Sequence, residues 1–145
     1  MQIGAGVDGT VLVSDQGRAV KFLNDRPRYA RELEVYQVLR GLGITSVAGH
    51  AVPELIRFDD ELLAIEMTIV RPPFVLDFAA AKTEYEYAWL GFDEDEAWAE
   101  HVERVKEKFD DKWQDALDVA DAFARATGYI LMDLHAGNIR FANHS

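Results

Sequence analysis

The chain has 145 residues, of which 49% are hydrophobic and 28% charged, with a formal net charge of -11 at pH 7. This composition predicts a soluble globular protein of one domain or two small lobes. The negative charge argues against nucleic acid as a partner, because binding along a phosphate backbone needs a basic surface. The chain has no cysteine, which excludes disulfides, thiolate zinc sites and thiol nucleophiles and agrees with a cytoplasmic location. Neither a signal peptide nor a membrane-spanning stretch can be read, so no membrane partner is expected.

The first half of the sequence is rich in strand-forming runs. Two such runs, at 11–13 and 19–23, are separated by a turn signal at 14–17, and together they predict a β-hairpin. Two more strands are predicted at 54–58 and 62–69, because a polar turn separates them.

One helix is predicted between the hairpin and these later strands. Asn24 and Asp25 can cap its start, and Pro27 suits its first turn. Gly41 and Gly43 are expected to end it. Apolar side chains recur at helical spacing and predict its buried face. They are Tyr29, Leu33, Tyr36 and Leu39.

A boundary is predicted at Arg71-Pro72-Pro73, because Pro-Pro continues neither a strand nor a helix. We therefore expect one lobe over 1–70 and a second, mainly helical lobe over 71–145. The acidic run 93–96 has the form of a helix N-terminus, and Gly128 ends a second helix. Two apolar stripes are interpreted as core positions. They consist of Trp98, Val102, Val105 and Phe109, and of Trp113, Ala116, Leu117, Ala120, Phe123 and Ala124.

Three glycines near the start, Gly4, Gly6 and Gly9, form the pattern G-x-G-x-x-G. A dinucleotide-binding fold requires a strand before this pattern and a helix after it. Here a β-rich segment follows, so the glycines belong to a hairpin. A second kind of glycine loop has the same pattern followed by x-V, and here Thr10 and Val11 supply these two residues. The backbone N–H groups of such a loop approach phosphate oxygens. The alternative is a tight glycine turn that binds no ligand.

Lys21 lies in the second strand of the predicted hairpin, among apolar residues. An ammonium in such a strand needs a partner, because burial of an unpaired charge is costly. Glu32 on the following helix is the preferred partner, since it precedes Leu33 of the inward stripe, and Glu34 is the fallback. The alternative for Glu32 is an exposed helix charge. Lys21 could then reach a phosphate as well as a carboxylate.

Asp133 and Asn138 form the pattern D-x-x-x-x-N between two short β-like runs. An aspartate in such a loop can accept the proton of an attacking hydroxyl. The carbonyl oxygen of the asparagine side chain can bind a magnesium ion that also contacts nucleotide phosphates. The alternative is a turn rich in Asx residues.

Taken together, these pieces resemble the protein-kinase-like superfamily, and they occur in the order of that family. Asp133 begins the sequence Asp-Leu-His-Ala-Gly-Asn-Ile, which is similar to the catalytic loop of aminoglycoside and choline phosphotransferases. The resemblance implies an α+β fold, with an antiparallel-sheet N-lobe carrying one helix and a truncated helical C-lobe that ends after the catalytic loop. It also implies ATP and Mg²⁺ as cofactors. Lys21 would hold the α- and β-phosphates, Glu32 would orient Lys21, Asp133 would be the catalytic base, and Asn138 would be a metal ligand.

The resemblance further implies that the glycine loop, with Gly4, Gly6, Gly9 and Val11, covers the nucleotide. Glu66-Met67-Thr68 would offer backbone groups to the adenine.

The sequence also departs from the family. Leu131-Met132 stand where the family has His or Tyr followed by Arg or Gly. A second metal-binding aspartate, of the D-F-G type, is expected about a dozen residues after the asparagine. Ser145 is reached before that point. Asp93, Glu94 and Asp95 are the substitutes that can be imagined, and nothing in the sequence requires them.

Three functions therefore stay open. The first is an ATP-dependent phosphotransferase that acts on a hydroxyl acceptor, either a protein or a small molecule. The second is a pseudokinase-like module that binds a nucleotide or a partner without phosphoryl transfer. The third is an unrelated α+β binding protein whose motifs agree by chance. A truncated C-lobe would expose apolar surface, which predicts a homodimer or a partner chain.

Overall fold

The protein belongs to the α+β class, as predicted. The structure, a computed structural model, describes residues 2–5, 9–14, 16–83, 86, 94–132, 134–135 and 138–142, with the backbone alone at 2–5 and 94–97. Its strands are β1 (Gln2–Ala5), β2 (Gly9–Val13), β3 (Arg18–Leu23), β4 (Ser46–Val47), β5 (His50–Ala51), β6 (Leu55–Asp59), β7 (Ala64–Thr68), β8 (Phe74–Val75), β9 (Lys82–Thr83), β10 (Tyr129–Ile130) and β11 (Ile139–Arg140). Its helices are α1 (Arg26–Leu42), α2 (Glu94–Phe109) and α3 (Trp113–Thr127), with a 3-10 turn at Asp110–Lys112.

The largest sheet comes from the first half of the chain. Its five strands lie in the order β1-β2-β3-β7-β6, and every neighbouring pair is antiparallel. The predicted hairpin is confirmed, because β2 pairs with β3 across a turn in which Gly17 has a φ of 73°. The predicted pair of later strands is also confirmed, as β6 and β7.

Helix α1 lies between β3 and the later strands and begins and ends at predicted residues. The Asp25 side chain accepts a hydrogen bond from the Arg28 backbone N–H at 2.8 Å and caps the helix. Gly43 ends it with a φ of 68°, in the left-handed region that suits glycine. Gly41 lies inside the last turn. The four residues of the predicted stripe are all buried, which confirms the face that packs on the sheet.

A second sheet joins the two halves of the sequence. Its strands lie in the order β11-β8-β5-β4. The parallel contact between β5 and β8 is supported by a 2.9 Å hydrogen bond from the Ala51 N–H to the Pro73 carbonyl. Strands β9 and β10 form a separate antiparallel pair. The segment 71–75 is therefore held by backbone hydrogen bonds to an earlier part of the chain.

Helices α2 and α3 confirm the predicted helical segments after residue 93. Gly128 ends α3 with a φ of 83° and donates its N–H to the Ala124 carbonyl at 2.8 Å. The Trp98 side chain, predicted as core, is 54% exposed, whereas Val105 and Phe109 of the same stripe are buried. The buried apolar side chains of α1, α2, α3 and the sheets form one cluster. Within the described residues, no helix is long and apolar enough to cross a membrane.

Candidate functional site

Lys21 lies on the face of β3 that is turned toward the core. Burial alternates along this strand, and Ala19, Lys21 and Leu23 occupy its buried positions. The neighbouring strands place Val11 and Ile65 beside Lys21. The lysine is only 7% exposed, so its ammonium group needs partners within the protein.

Glu32 is the first partner, as the sequence predicts. It is fully buried on α1, and its two carboxylate oxygens lie 3.0 and 3.1 Å from the Lys21 Nζ. Glu34, the alternative considered from the sequence, points elsewhere and accepts a hydrogen bond from the Tyr129 hydroxyl. The alternative of an exposed charge at position 32 is therefore wrong, because the helix turns this carboxylate into the core.

Asp77 is the second partner of Lys21, and sequence reasoning missed it. Its Oδ1 lies 2.9 Å from the Lys21 Nζ. The backbone at Asp77 has a φ of 72°, in a region that residues other than glycine, asparagine and aspartate rarely adopt. The available signal was Asp77-Phe78-Ala79, which resembles D-F-G but precedes the catalytic loop, whereas the expected position follows it.

Phe78, the residue after Asp77, is fully buried in the core. Its fully buried ring packs edge-on against Tyr36, with a centroid distance of 5.2 Å, and stacks on Phe123 at 5.3 Å. Residues 77 and 78 thus connect the charged cluster to an aromatic core shared by α1 and α3.

Burial and neighbouring charges shift the pKa values of Glu32 and Lys21. Burial raises the pKa of the Glu32 carboxyl to about 7, against the effect of the Lys21 ammonium, and the Asp77 charge adds to the rise. Burial acts to lower the pKa of Lys21, but Glu32 and Asp77 outweigh it and leave that pKa raised. The cluster therefore keeps its lysine charged and has two carboxyl groups for one ammonium.

Asn138 lies next to this cluster through strand pairing. β11 pairs with β8, and the Leu76 N–H donates a hydrogen bond to the Asn138 carbonyl at 2.8 Å. The buried Asn138 side chain accepts a hydrogen bond through its Oδ1 from the His135 N–H at 2.9 Å. This contact runs back three residues along the chain, so it differs from an Asx turn, in which the side chain accepts from a later N–H. Asp133 lies outside the described residues.

The glycine pattern is only partly visible. Gly4 pairs with Val11 between β1 and β2, while Gly6 lies outside the described residues. At Gly9 a Cβ atom would lie 2.0 Å from the Phe22 carbonyl oxygen of the neighbouring strand. Close backbone approach therefore requires glycine at position 9, whether or not a phosphate binds nearby.

The residues expected near an adenine are occupied within the sheet. The Glu66 carboxylate contacts the Arg57 Nε at 2.7 Å and an Arg18 nitrogen at 3.8 Å. The Thr68 N–H donates a hydrogen bond to the Glu54 carbonyl at 3.0 Å, and the Thr68 hydroxyl accepts one from the Glu54 N–H.

A cavity of about 440 Å³ lies apart from Lys21, between α2, α3 and β10. Its lining includes Trp98, His101, Leu117 and Met132. Burial lowers the pKa of His101, and the Arg104 charge adds to this effect.

Within the described ranges, no three histidine, cysteine, aspartate or glutamate side chains are grouped as they would be around a metal ion. Asp77 and Asn138 nevertheless offer carboxylate and amide oxygens, which are the ligand types that Mg²⁺ prefers. Comparison of the chain with protein-family models, with curated proteins and with solved structures finds no match.

Proposed function

We propose that this chain is a protein-kinase-like phosphotransferase that binds ATP beside Lys21 and transfers its γ-phosphate to a hydroxyl acceptor. The observation that carries the proposal is the Lys21–Glu32 pair. A buried lysine on the third strand meets a fully buried glutamate on the following helix at 3.0 Å, which is the pairing that protein kinases use to hold ATP phosphates. The five-stranded antiparallel sheet with one helix also suits the proposed N-lobe.

The proposed roles follow the chemistry of each side chain. Lys21 binds oxygens of the α- and β-phosphates, and Glu32 keeps the Lys21 ammonium charged and oriented. The acceptor hydroxyl gives its proton to Asp133, its oxygen forms a bond to the γ-phosphorus, and the bond from that phosphorus to the β-phosphate oxygen breaks. ADP and the phosphorylated acceptor are the products. A bound Mg²⁺ ion neutralises charge on the phosphates, and Asn138 is one of its ligands.

A second function is favoured by one specific observation. The Lys21 ammonium contacts two carboxylates, at 3.0 Å from Glu32 and 2.9 Å from Asp77. A lysine engaged in this way suits a pseudokinase-like module, which binds a nucleotide or a partner chain without transfer. Thermal stability and phosphate transfer, measured on the same samples, separate the two functions.

The first test measures stabilisation by ATP, with and without Mg²⁺. At an ATP concentration about 100 times the dissociation constant, mass action predicts stabilisation by roughly 2.7 kcal/mol. We expect this effect in the wild type and its loss in Lys21→Met, which keeps the bulk of the side chain without its charge. Lys108→Ala, a change at an exposed position of α2, should leave it intact. A wild type whose melting temperature does not respond to ATP contradicts both kinase-like functions.

Transfer itself is tested with ATP labelled at the γ-phosphate and a panel of protein and small-molecule hydroxyl acceptors. Asp133→Asn should keep nucleotide binding and lose transfer, because it removes the proposed base and leaves the phosphate contacts. Binding without transfer to any acceptor in the wild type favours the pseudokinase-like module. Transfer that persists at wild-type rates in Asp133→Asn contradicts the assigned base.

A further inference from the structure

We infer that Asp77 is the second metal ligand of this site, reached from upstream of the catalytic loop, and that it leaves Lys21 for a divalent cation when ATP binds. The inference rests on the proposed nucleotide site and extends it to a residue that the sequence alone did not suggest. It concerns the carboxylate that is expected about a dozen residues after the asparagine in the family. Here a carboxylate reaches the site from the segment after β8.

The first support is sequence chemistry. Asp77-Phe78-Ala79 has the aspartate and the phenylalanine of the D-F-G segment, with alanine in place of the glycine. In that segment the aspartate binds Mg²⁺ and the phenylalanine packs in the core. The Phe78 ring is fully buried between Tyr36 and Phe123, so both halves of the motif have matching surroundings.

The second support is position. The hydrogen bond from the Leu76 N–H to the Asn138 carbonyl, at 2.8 Å, places the residue before Asp77 directly against the proposed metal ligand Asn138. The Asp77 carboxylate reaches Lys21 at 2.9 Å on the other side. Asp77 therefore stands between the lysine that would hold phosphates and the loop that would hold the metal.

The third support is charge. Two carboxylates, Glu32 and Asp77, face one ammonium, Lys21, so the fully ionised cluster carries one excess negative charge. A polyphosphate entering such a site is repelled unless a cation accompanies it. A divalent cation bound by Asp77 reverses the sign of the local charge and leaves Lys21 able to contact phosphate oxygens. In the structure the Lys21 ammonium contacts the Asp77 carboxylate, at the position that the divalent cation would take.

The backbone gives a fourth support. Asp77 has a φ of 72° without being glycine. Aspartate adopts this left-handed region more often than most residues do, and residues other than glycine that are held in it are concentrated at active sites and ligand contacts. The hydrogen bond from the Leu76 N–H to the Asn138 carbonyl and the burial of the Phe78 ring fix the residues on either side of Asp77.

The test compares ATP affinity in EDTA with ATP affinity in Mg²⁺, by calorimetry, for the wild type and for Asp77→Asn. We expect Mg²⁺ to strengthen binding at least tenfold in the wild type and less than twofold in Asp77→Asn. Without metal, Asp77→Asn should bind ATP no more weakly than the wild type, because the change removes a competitor for Lys21. A merely structural role would weaken both affinities together. Asp118→Asn, an exposed change of the same charge on α3, is the control.

A second measurement uses the wild type alone and does not depend on the folding of a variant. Mn²⁺ added together with ATP should broaden the amide NMR signals of Leu76, Phe78 and Asn138, and Mn²⁺ added alone should broaden them less. If these three signals are not broadened, or if Mg²⁺ strengthens ATP binding in Asp77→Asn as much as in the wild type, the inference is wrong. Either result leaves the proposed nucleotide site intact, provided that ATP binds. A wild type that binds Mn²⁺ at Asp77 but never ATP supports the metal site and contradicts the proposed function.

Discussion

The two halves of the candidate site are assembled in different ways. Lys21 and Glu32 lie on a strand and on the helix that follows it directly, so the short loop between them is enough to bring them together. The segments that carry Asp77 and Asn138 are far apart in the sequence and lie side by side because two short strands, β8 and β11, pair. The difference indicates that the lysine–glutamate pair is specified locally, whereas the placement of Asp77 and Asn138 depends on long-range packing.

The largest loss of stability is expected at Phe78, which follows Asp77 and packs between helices α1 and α3. Phe78→Ala removes a fully buried ring that contacts Tyr36 of α1 and Phe123 of α3. We expect the free energy of unfolding to fall by about 3–5 kcal/mol, because a cavity replaces these contacts. The measurement is guanidinium denaturation, followed by circular dichroism and by tryptophan fluorescence.

The two probes report on different regions, because Trp89, Trp98 and Trp113 all follow residue 88 in the sequence. In the wild type the two transitions should coincide, and in Phe78→Ala they should separate. Phe58→Ala is the matched control, since the Phe58 side chain is 42% exposed. Transitions that still coincide, with a loss below about 1 kcal/mol, would show that Phe78 does not join the halves.

A smaller effect is expected at the glycine pattern. Gly9→Ala places a methyl group 2.0 Å from the Phe22 carbonyl oxygen. Since a paired strand yields poorly, we expect the nucleotide-free protein to lose about 2–3 kcal/mol. Thermal denaturation without ATP measures this loss.

Gly41→Ala is the control for the glycine change. Nothing lies within 4 Å of an added Cβ at Gly41, which is helical, so alanine there should stabilise the protein by up to about 1 kcal/mol. If Gly9→Ala is as stable as the wild type but binds ATP poorly, the glycine serves the ligand and not the sheet.

The third effect is on how the free energy of unfolding depends on pH. The pKa of Glu32 in the folded protein is raised to about 7 by burial, so the folded state holds a proton that the unfolded state releases at lower pH. Stability should therefore fall as pH rises from about 4.5 to about 7, by roughly 2–3 kcal/mol. The raised pKa of Lys21 acts only above its ordinary value of 10.5, outside this window.

Glu32→Gln should remove this component of the pH dependence, which urea denaturation across the pH range would measure. Glu107→Gln, at an exposed position, controls for the loss of one negative charge. An unchanged slope in Glu32→Gln would mean that the buried carboxyl stays ionised throughout.

The sequence predicted the first half well because its signals are local. Turn residues, the Asp25 cap and Gly43 each act over a few residues, and each was found where expected. The Lys21–Glu32 contact follows from those elements, because the inward face of α1 covers the inward face of β3.

Asp77 could not be predicted in the same way. Strands β8 and β11 are two residues long, too short for an alternating pattern to reveal them, and their pairing is set by tertiary contacts. The family resemblance also predicts the second carboxylate after Asn138, whereas Asp77-Phe78-Ala79 precedes it in the sequence. Trp98 shows a similar limit, since helical spacing identified its stripe but not its 54% exposure.

The adjacency of Asp77 and Phe78 has a mechanical consequence. A ligand that draws the Asp77 carboxylate away from Lys21 acts on a residue whose neighbour in the chain packs against rings of two helices. Charge at the site and packing between the helices are thereby coupled through a single peptide unit. A movement of Asp77 is therefore expected to displace the aromatic rings that Phe78 contacts on α1 and α3.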